Sequence, residues 1–177
     1  MLVVVISGPI ASGKSTLGRA VAARLEEVRG TASAVVDLDL IYEMLDPRRR
    51  PKSDEHLWTR ARRIGGRLAS DLLHDGCAVV VEGDLASDDA LREFETELPR
   101  HASPWLVMLN VDLETALERV EADPTRGISR EVTFLSRHYD AFEPGWKGRR
   151  VLDLDAGSTS VSNAVHTVVG WVTERER

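Results

Sequence analysis

This sequence lacks most of what stabilises extracellular proteins or anchors a chain in a membrane. Cys77 is the one cysteine among 177 residues, so no disulfide can form within the chain. No apolar run approaches the roughly 20 residues that a transmembrane helix needs. The apolar run at residues 2–6 is too short, and has no basic residue before it, to be a signal peptide. These absences predict a cytoplasmic protein without a membrane anchor.

Positive charge is outnumbered by negative charge. The chain has 23 Lys and Arg against 29 Asp and Glu, which gives a net charge of -6. This balance repels nucleic acids and anionic membranes at long range, so it disfavours both as partners. Seven of the arginines form two clusters, at residues 48–50 and 60–67. Each cluster is either a solvated face or a site for an anion.

The pattern of apolar residues predicts one α/β domain spanning residues 1–177. Five short β-branched or apolar runs predict strands at residues 2–6, 34–37, 78–82, 105–109 and 151–154. Helical patterns lie between them, so the strands should form a parallel sheet with helices on both faces. This is a three-layer αβα arrangement. Repeats, low-complexity tracts and long linkers are missing.

Four of the helices have predicted bounds, which are residues 14–28, 40–46, 55–74 and 88–98. Three more are expected after Asp112, around residues 134–142 and after residue 160. Ser53 or Asp54 can cap the longest helix. Its expected buried stripe consists of Leu57, Ala61, Ile64, Leu68 and Leu72.

The loop after the first strand matches the phosphate-binding pattern G-x-x-x-x-G-K-[ST]. It consists of Gly8, Pro9, Ile10, Ala11, Ser12, Gly13, Lys14 and Ser15. Its glycines allow a concave nest of amide N–H groups at a helix N-terminus, where anions bind. Lys14 should reach the β- and γ-phosphates, and the Ser15 hydroxyl should bind Mg²⁺. Thr16 is an ordinary helix residue or a further ligand. The loop predicts a P-loop NTPase fold that binds Mg·ATP.

Acidic residues follow the second and third strands, at the sheet edge where ligands of such folds bind. Asp37 and Asp39 should point to the same side if the chain stays extended through them. We assign Asp39 as the base that accepts the proton of an attacking hydroxyl, and Asp37 to the metal side; a helix cap at Asp39 with a solvated Asp37 is the alternative. Glu82 is a second metal-side acid. Gly83 and Asp84 are candidates for contact with substrate. The alternative for Asp84 is that it caps a turn and has no other role.

A basic segment at residues 121–137 is a candidate lid. Its arginines and their neighbours are Arg119, Arg126, Arg130 and Arg137. Such a segment can close over the triphosphate, exclude water and stabilise the transferring charge. Arg126 and Arg130 are assigned a catalytic role, and Arg137 could extend the patch toward the acceptor; a solvated helix end is the alternative. The turn at residues 155–158 should lie near the nucleotide base. His138 lies at helical spacing with apolar residues, which predicts a packing role rather than a role in the chemistry.

In the order of these pieces the chain resembles the small P-loop kinases of the shikimate kinase, gluconate kinase and chloramphenicol phosphotransferase type. The resemblance runs the whole length, but only the phosphate loop is a specific motif. Asp37-Leu38-Asp39 looks like the D-x-D of shikimate kinase, and Arg119 like the family's adenine-stacking arginine. Glu82-Gly83-Asp84 departs from the Gly-rich segment of that enzyme. The resemblance implies an ATP- and Mg²⁺-dependent kinase acting on a small metabolite or antibiotic, and it leaves the acceptor open.

The first hypothesis is therefore a kinase that transfers the γ-phosphoryl group of ATP to a small-molecule hydroxyl held by residues 40–75. The arginines of that segment suggest an anionic group on the acceptor, or else form a solvated face. A polynucleotide 5′-hydroxyl kinase is the second hypothesis, and a nucleotide-dependent regulatory ATPase is the third. The chain has no N-K-x-D signature of GTPases and no strand that ends in Asp-Glu. A monomer and a homodimer are both compatible with the sequence.

Overall fold

The computed structural model describes residues 1–48, 52–123 and 131–174. Five strands form one parallel sheet: β1 Val3–Ser7, β2 Ser33–Asp37, β3 Ala78–Glu82, β4 Trp105–Asn110 and β5 Val151–Asp155. Seven helices are described: α1 Lys14–Arg29, α2 Leu38–Leu45, α3 Glu55–His74, α4 Asp88–Glu95, α5 Leu113–Glu121, α6 Val132–Ala141 and α7 Val161–Thr173. The predicted α/β fold with a five-stranded parallel sheet is confirmed.

The strand order β2-β3-β1-β4-β5 places β1 at the centre of the sheet. All four strand pairs are parallel, so all five carboxyl ends lie along one edge. In this register Glu82 pairs with Ile6 on one side and with Asp37 on the other. The loop after β1 and the acidic ends of β2 and β3 therefore meet at the same edge, as the sequence predicted.

Two apolar cores cover the two faces of the sheet. Val3 and Val5 of β1 point into the core beneath α2, α3 and α4, whereas Val4 and Ile6 point into the core beneath α1 and α7. Because both faces are covered, the strand is apolar at every position from Val3 to Ile6 rather than at alternate ones. None of the described helices combines the length and the apolar character that a bilayer crossing requires.

The predicted buried stripe of α3 is right for Ala61, Leu57 and Leu72, which are buried or pack against the core, and wrong for Ile64 and Leu68. Ile64 and Leu68 are 37% and 44% exposed. The helix instead buries a face of Trp58, Ala61, Gly65, Gly66, Ala69 and Leu73, together with Arg62. Small residues occupy this face because α3 lies very close to α2. A Cβ on Gly65 would come within 2.3 Å of the Leu38 side chain. Apolar periodicity alone favoured the larger side chains.

Two helix boundaries also differ from the prediction. Helix α2 begins at Leu38 rather than at residue 40, because the Asp37 side chain accepts a hydrogen bond from the Leu40 N–H and caps it. Helix α4 ends at Glu95 rather than at residue 98. The predicted Asp54 cap of α3 is confirmed, since its side chain accepts from the N–H groups of His56 and Leu57.

Candidate active site

The phosphate loop runs directly from the centre of the sheet into α1. Gly13 precedes the helix with φ of +95°, and Ala11 also has a positive φ, of +63°. The Lys14 ammonium donates to the carbonyls of Gly8 and Pro9, each at 2.9 Å. It therefore lies folded over the first limb of the loop, which is residues 8–11. The Ser12 hydroxyl is buried without a hydrogen-bond partner among the described residues. Thr16 is exposed in the first turn of α1.

The structure brings Ser15 and Glu82 together at the carboxyl end of the sheet. The Ser15 hydroxyl donates to Glu82 Oε2 at 2.9 Å. Glu82 is 1% exposed, and within the described part of the chain its Oε1 has no hydrogen-bond partner. An unsatisfied carboxylate oxygen at this depth is costly unless a ligand completes it.

Burial raises the pKa of Glu82 to about 7, even though the Ser15 hydroxyl opposes this shift. The nearby charges of Asp37 and Asp39 raise the pKa further, and that of Lys14 lowers it. Glu82 is thus poised to lose its proton when positive charge arrives beside it.

The Mg²⁺ that a phosphate loop implies fits these donors. Mg²⁺ prefers oxygen ligands and usually binds through one or two protein groups, with substrate phosphates and water completing its shell. The Ser15 hydroxyl and the unsatisfied Glu82 Oε1 are donors of this kind. In the described ranges no group of three or more His, Cys, Asp or Glu side chains could hold a metal ion by itself. The site therefore suits a metal that arrives with a phosphorylated ligand.

Asp37 and Asp39 do not continue β2 as an extended pair. The prediction that an extended chain makes both side chains point to the same side is therefore wrong. Helix α2 intervenes after Asp37, whose carboxylate caps it, and Asp39 lies in its first turn. Asp39 Oδ1 accepts from the Lys52 ammonium at 2.6 Å, and Glu43 contacts the same ammonium at 3.0 Å. Burial lowers the pKa of Lys52, but the charges and hydrogen bonds of Asp39 and Glu43 outweigh it and leave that pKa raised. Lys52, which the sequence analysis did not single out, holds Asp39 in place.

Beside them, the Gly83-Asp84 turn is tied to the body of the protein. The Ser7 hydroxyl donates to the Gly83 carbonyl at 3.0 Å and accepts from the Leu85 N–H at 3.3 Å. Gly83 has a φ of +141°, and a Cβ there would lie 2.7 Å from the Leu38 side chain. The need for glycine is explained by packing against α2. Contact of Gly83 and Asp84 with a substrate stays a prediction.

Most arginines of α3 are occupied by carboxylates. Arg62, 4% exposed, donates to the side chains of Glu55, Asp84 and Glu93 and to the Asp84 carbonyl. Arg63 and Arg67 both pair with Glu97. The arginines of this helix therefore give no support to an anionic acceptor, because three of the four already have carboxylate partners.

Arg119 connects the phosphate loop to the turn after β5. Its guanidinium donates to the carbonyls of Ala11, at 3.1 Å, and of Ala156. Within that turn the Asp155 carboxylate accepts hydrogen bonds from Gly157 and Ser158. The residues predicted to surround the nucleotide base are thus brought together. Arg126 and Arg130 lie outside the described residues, and Arg137 is exposed on α6.

Two functional candidates on α6 were missed. His138 Nε2 accepts a hydrogen bond from the Ile10 N–H at 3.1 Å, and the Tyr139 hydroxyl donates to the Ile10 carbonyl at 2.8 Å. His138 was expected to pack rather than to take part in chemistry, and the structure adds this hydrogen bond to the phosphate loop. No sequence signal could have found this contact, because 128 residues separate His138 from Ile10.

Comparison with known proteins supports this description of the fold. The family model described as AAA domain matches residues 4–133. No curated protein matches the chain.

Solved structures of kinases are similar over nearly the whole chain. A sugar kinase from Janibacter sp. HTCC2649, in an unliganded structure, has a TM-score of 0.73 and 16% identity, and covers 97% of this chain and 94% of its own. A gluconokinase from Sinorhizobium meliloti 1021 has a TM-score of 0.67 and 16% identity, with 99% and 94% covered. The Mycobacterium tuberculosis APS kinase in complex with AMPPNP and APS has a TM-score of 0.70 and 17% identity, with 97% and 96% covered. The predicted P-loop kinase type of fold is confirmed.

Proposed function

This chain belongs to the AAA domain family, and we propose that it is an ATP-dependent kinase that phosphorylates a hydroxyl of a small molecule. The observation that carries the proposal is the Ser15–Glu82 pair with its unsatisfied Oε1. It lies beside Lys14 at the carboxyl edge of the sheet, where a metal-bound triphosphate would bind. These residues support the use of this fold for phosphoryl transfer in this chain.

The nucleotide would bind with its phosphates in the loop at residues 8–15. Lys14 would exchange the carbonyls of Gly8 and Pro9 for phosphate oxygens, since an ammonium gains more from an anion than from neutral acceptors. Ser15 and Glu82 would hold Mg²⁺, with Asp37 nearby on the metal side. Mg²⁺ supplies charge neutralisation of the phosphate oxygens. Arg119 would lie beside the base.

Asp39 is the residue we propose as the base toward the acceptor. Its carboxylate is 40% exposed, so a hydroxyl can reach it, and Lys52 fixes its orientation at 2.6 Å. The acceptor hydroxyl would donate its proton to Asp39 as its oxygen attacks the γ-phosphorus in line with the departing ADP oxygen. Positioning and electrostatic stabilisation carry most of this reaction, so a held carboxylate is sufficient.

The acceptor would lie between α2, α3 and the Gly83-Asp84 turn, within the segment 40–75. Two cationic side chains of this segment, Lys52 and Arg62, are both held by carboxylates. This favours a polyhydroxylated acceptor without net negative charge.

We also propose one domain over residues 1–177, with a lid at 121–137 in which Arg126, Arg130 and Arg137 act on the phosphates or the acceptor.

The test is phosphoryl transfer by the purified protein with Mg·ATP and a panel of neutral polyols, sugar acids, aminocyclitols and phenicols. Phosphorylated product, identified by mass spectrometry and ³¹P NMR, should form with at least one acceptor and should be abolished by Lys14→Ala. If ADP forms at the same rate whether or not an acceptor is present, for every acceptor in the panel, the result would refute the kinase and favour the regulatory ATPase. Transfer to a 5′-hydroxyl oligonucleotide alone would favour the polynucleotide kinase.

A further inference from the structure

Two neighbouring side chains of helix α6 bind the backbone of one residue of the phosphate loop. Both backbone polar groups of Ile10 are bonded to neighbouring side chains of α6, the N–H to His138 Nε2 at 3.1 Å and the carbonyl to the Tyr139 hydroxyl at 2.8 Å. Since Pro9 before it has no N–H, the first limb of the loop is anchored to α6 rather than offered to phosphate. This anchor has no part in the chemistry proposed above.

The anchored residue immediately precedes the strained point of the loop. Ala11 has a φ of +63°, a conformation that residues with a β-carbon rarely adopt and that persists only where the surroundings enforce it. Ala11 packs in a small apolar cluster with Leu135 of α6 and with Ala116 and Val120 of α5. Apolar packing fixes the position of this limb, and the two hydrogen bonds fix the orientation of its peptide groups.

Both side chains are in the protonation state that the anchor needs. Nε2 of His138 accepts a hydrogen bond only when it carries no proton. Burial lowers the pKa of His138, the Lys14 charge lowers it further, and Asp84 opposes them. Burial raises the pKa of Tyr139 to about 12, with Arg119 opposing the shift and Asp112 adding to it. Near neutral pH the imidazole is therefore neutral and the phenol keeps its proton.

We infer that His138 and Tyr139 are positioning residues that hold the first limb of the phosphate loop in the conformation that binds nucleotide. The inference rests on the proposed function, because it takes residues 8–15 to be the triphosphate site. Neither side chain needs to touch the nucleotide. Their effect should therefore appear in nucleotide affinity and in the order of the loop, and not in global stability.

The test compares four variants for binding of Mg·AMPPNP by calorimetry and for hydrogen exchange of residues 8–13 without nucleotide. Tyr139→Phe keeps the ring and removes the donor, whereas His138→Leu removes the acceptor. Each should weaken binding about 3- to 10-fold, the effect of losing one hydrogen bond, and should speed exchange in the loop. His138→Gln restores an acceptor oxygen and should recover most of both effects. Asp140→Asn, at an exposed site on the same helix, is the control and should change neither.

Unchanged affinity and exchange in Tyr139→Phe and His138→Leu would overturn the inference. It would also be overturned if His138→Gln behaved like His138→Leu, or if exchange rose throughout the sheet as well as in the loop, because these results indicate loss of packing. The kinase proposal fails separately: wild-type protein that binds Mg·AMPPNP but phosphorylates no acceptor refutes the kinase and leaves the anchor standing. If wild-type protein binds no nucleotide, loop exchange still decides whether the anchor exists.

Discussion

The Ser15 hydroxyl donates to one oxygen of Glu82 while the other oxygen, buried in the same place, has no partner among the described residues. The carboxylate therefore has one oxygen fixed in direction and one available for a ligand. Because Ser15 lies in the first turn of α1 and Glu82 ends β3, the pair is set by the packing of a helix against the sheet. It is the observation that most directly supports the proposed metal-assisted nucleotide site.

Glu82→Gln should remove most of the Mg²⁺ dependence of nucleotide binding. The amide keeps an oxygen for the Ser15 hydroxyl but offers the metal a neutral donor in place of a charged one. Wild-type protein should bind ATP more tightly with Mg²⁺ than with EDTA, and in the variant this difference should shrink by about tenfold, or about 1.4 kcal/mol. Titration calorimetry in the two buffers measures it. An unchanged Mg²⁺ effect would remove Glu82 from the metal site.

The same substitution should change how stability depends on pH in the absence of Mg²⁺. Burial raises the pKa of Glu82 from 4.5 to about 7, so the folded protein holds this proton more tightly than the unfolded chain. The stability this contributes is fully present below pH 4.5 and is lost as the pH rises through 7. Gln cannot titrate, so the variant should gain about 1–3 kcal/mol on the wild type between pH 5 and 8. Urea unfolding in EDTA at each pH gives the difference, and a constant difference would contradict the shift.

Asp39→Asn should lower phosphoryl transfer by about 100-fold or more, because a carboxamide cannot accept the acceptor's proton. Asp37→Asn is a matched variant two residues away. Asn caps helices about as well as Asp, so this variant should keep the α2 cap and the fold. Its defect should appear in Mg²⁺ affinity and not in proton transfer. Rates measured at saturating Mg·ATP separate the two, and a fully active Asp39→Asn would refute the assignment of the base.

Arg62→Met should destabilise the fold, in contrast to Arg60→Ala on the same helix. Arg62 is buried and is bonded to Glu55, Asp84 and Glu93, whereas Arg60 is exposed. Removing a buried partner leaves the remaining charges uncompensated, at a cost of roughly 2–4 kcal/mol once the exposure of the carboxylates is considered. Arg60→Ala should cost less than about 0.5 kcal/mol. Equal urea midpoints for the two variants would show that Arg62 is not part of the structural framework.

Residue patterns that are local in sequence predicted the architecture well. The phosphate loop and the five buried runs were sufficient for the sheet, because strand burial and loop chemistry leave their mark within a few residues. Local patterns predicted the Asp54 cap too. They misplaced the buried face of α3, since the deciding factor was the room left beside Leu38 for Gly65.

By itself the sequence determined that a triphosphate loop leads out of a buried central strand, and that acids follow the next two strands. Only the tertiary structure decided which partners these groups have. Ser15 meets Glu82 across 67 residues, and Ile10 meets Tyr139 across 129. Such contacts depend on side-chain direction and on the packing of distant helices, which no local period encodes. For the same reason three arginines of α3, which in sequence could form an anion site or a solvated face, are paired with carboxylates in the fold: Arg62 inside the protein, and Arg63 and Arg67 at its surface.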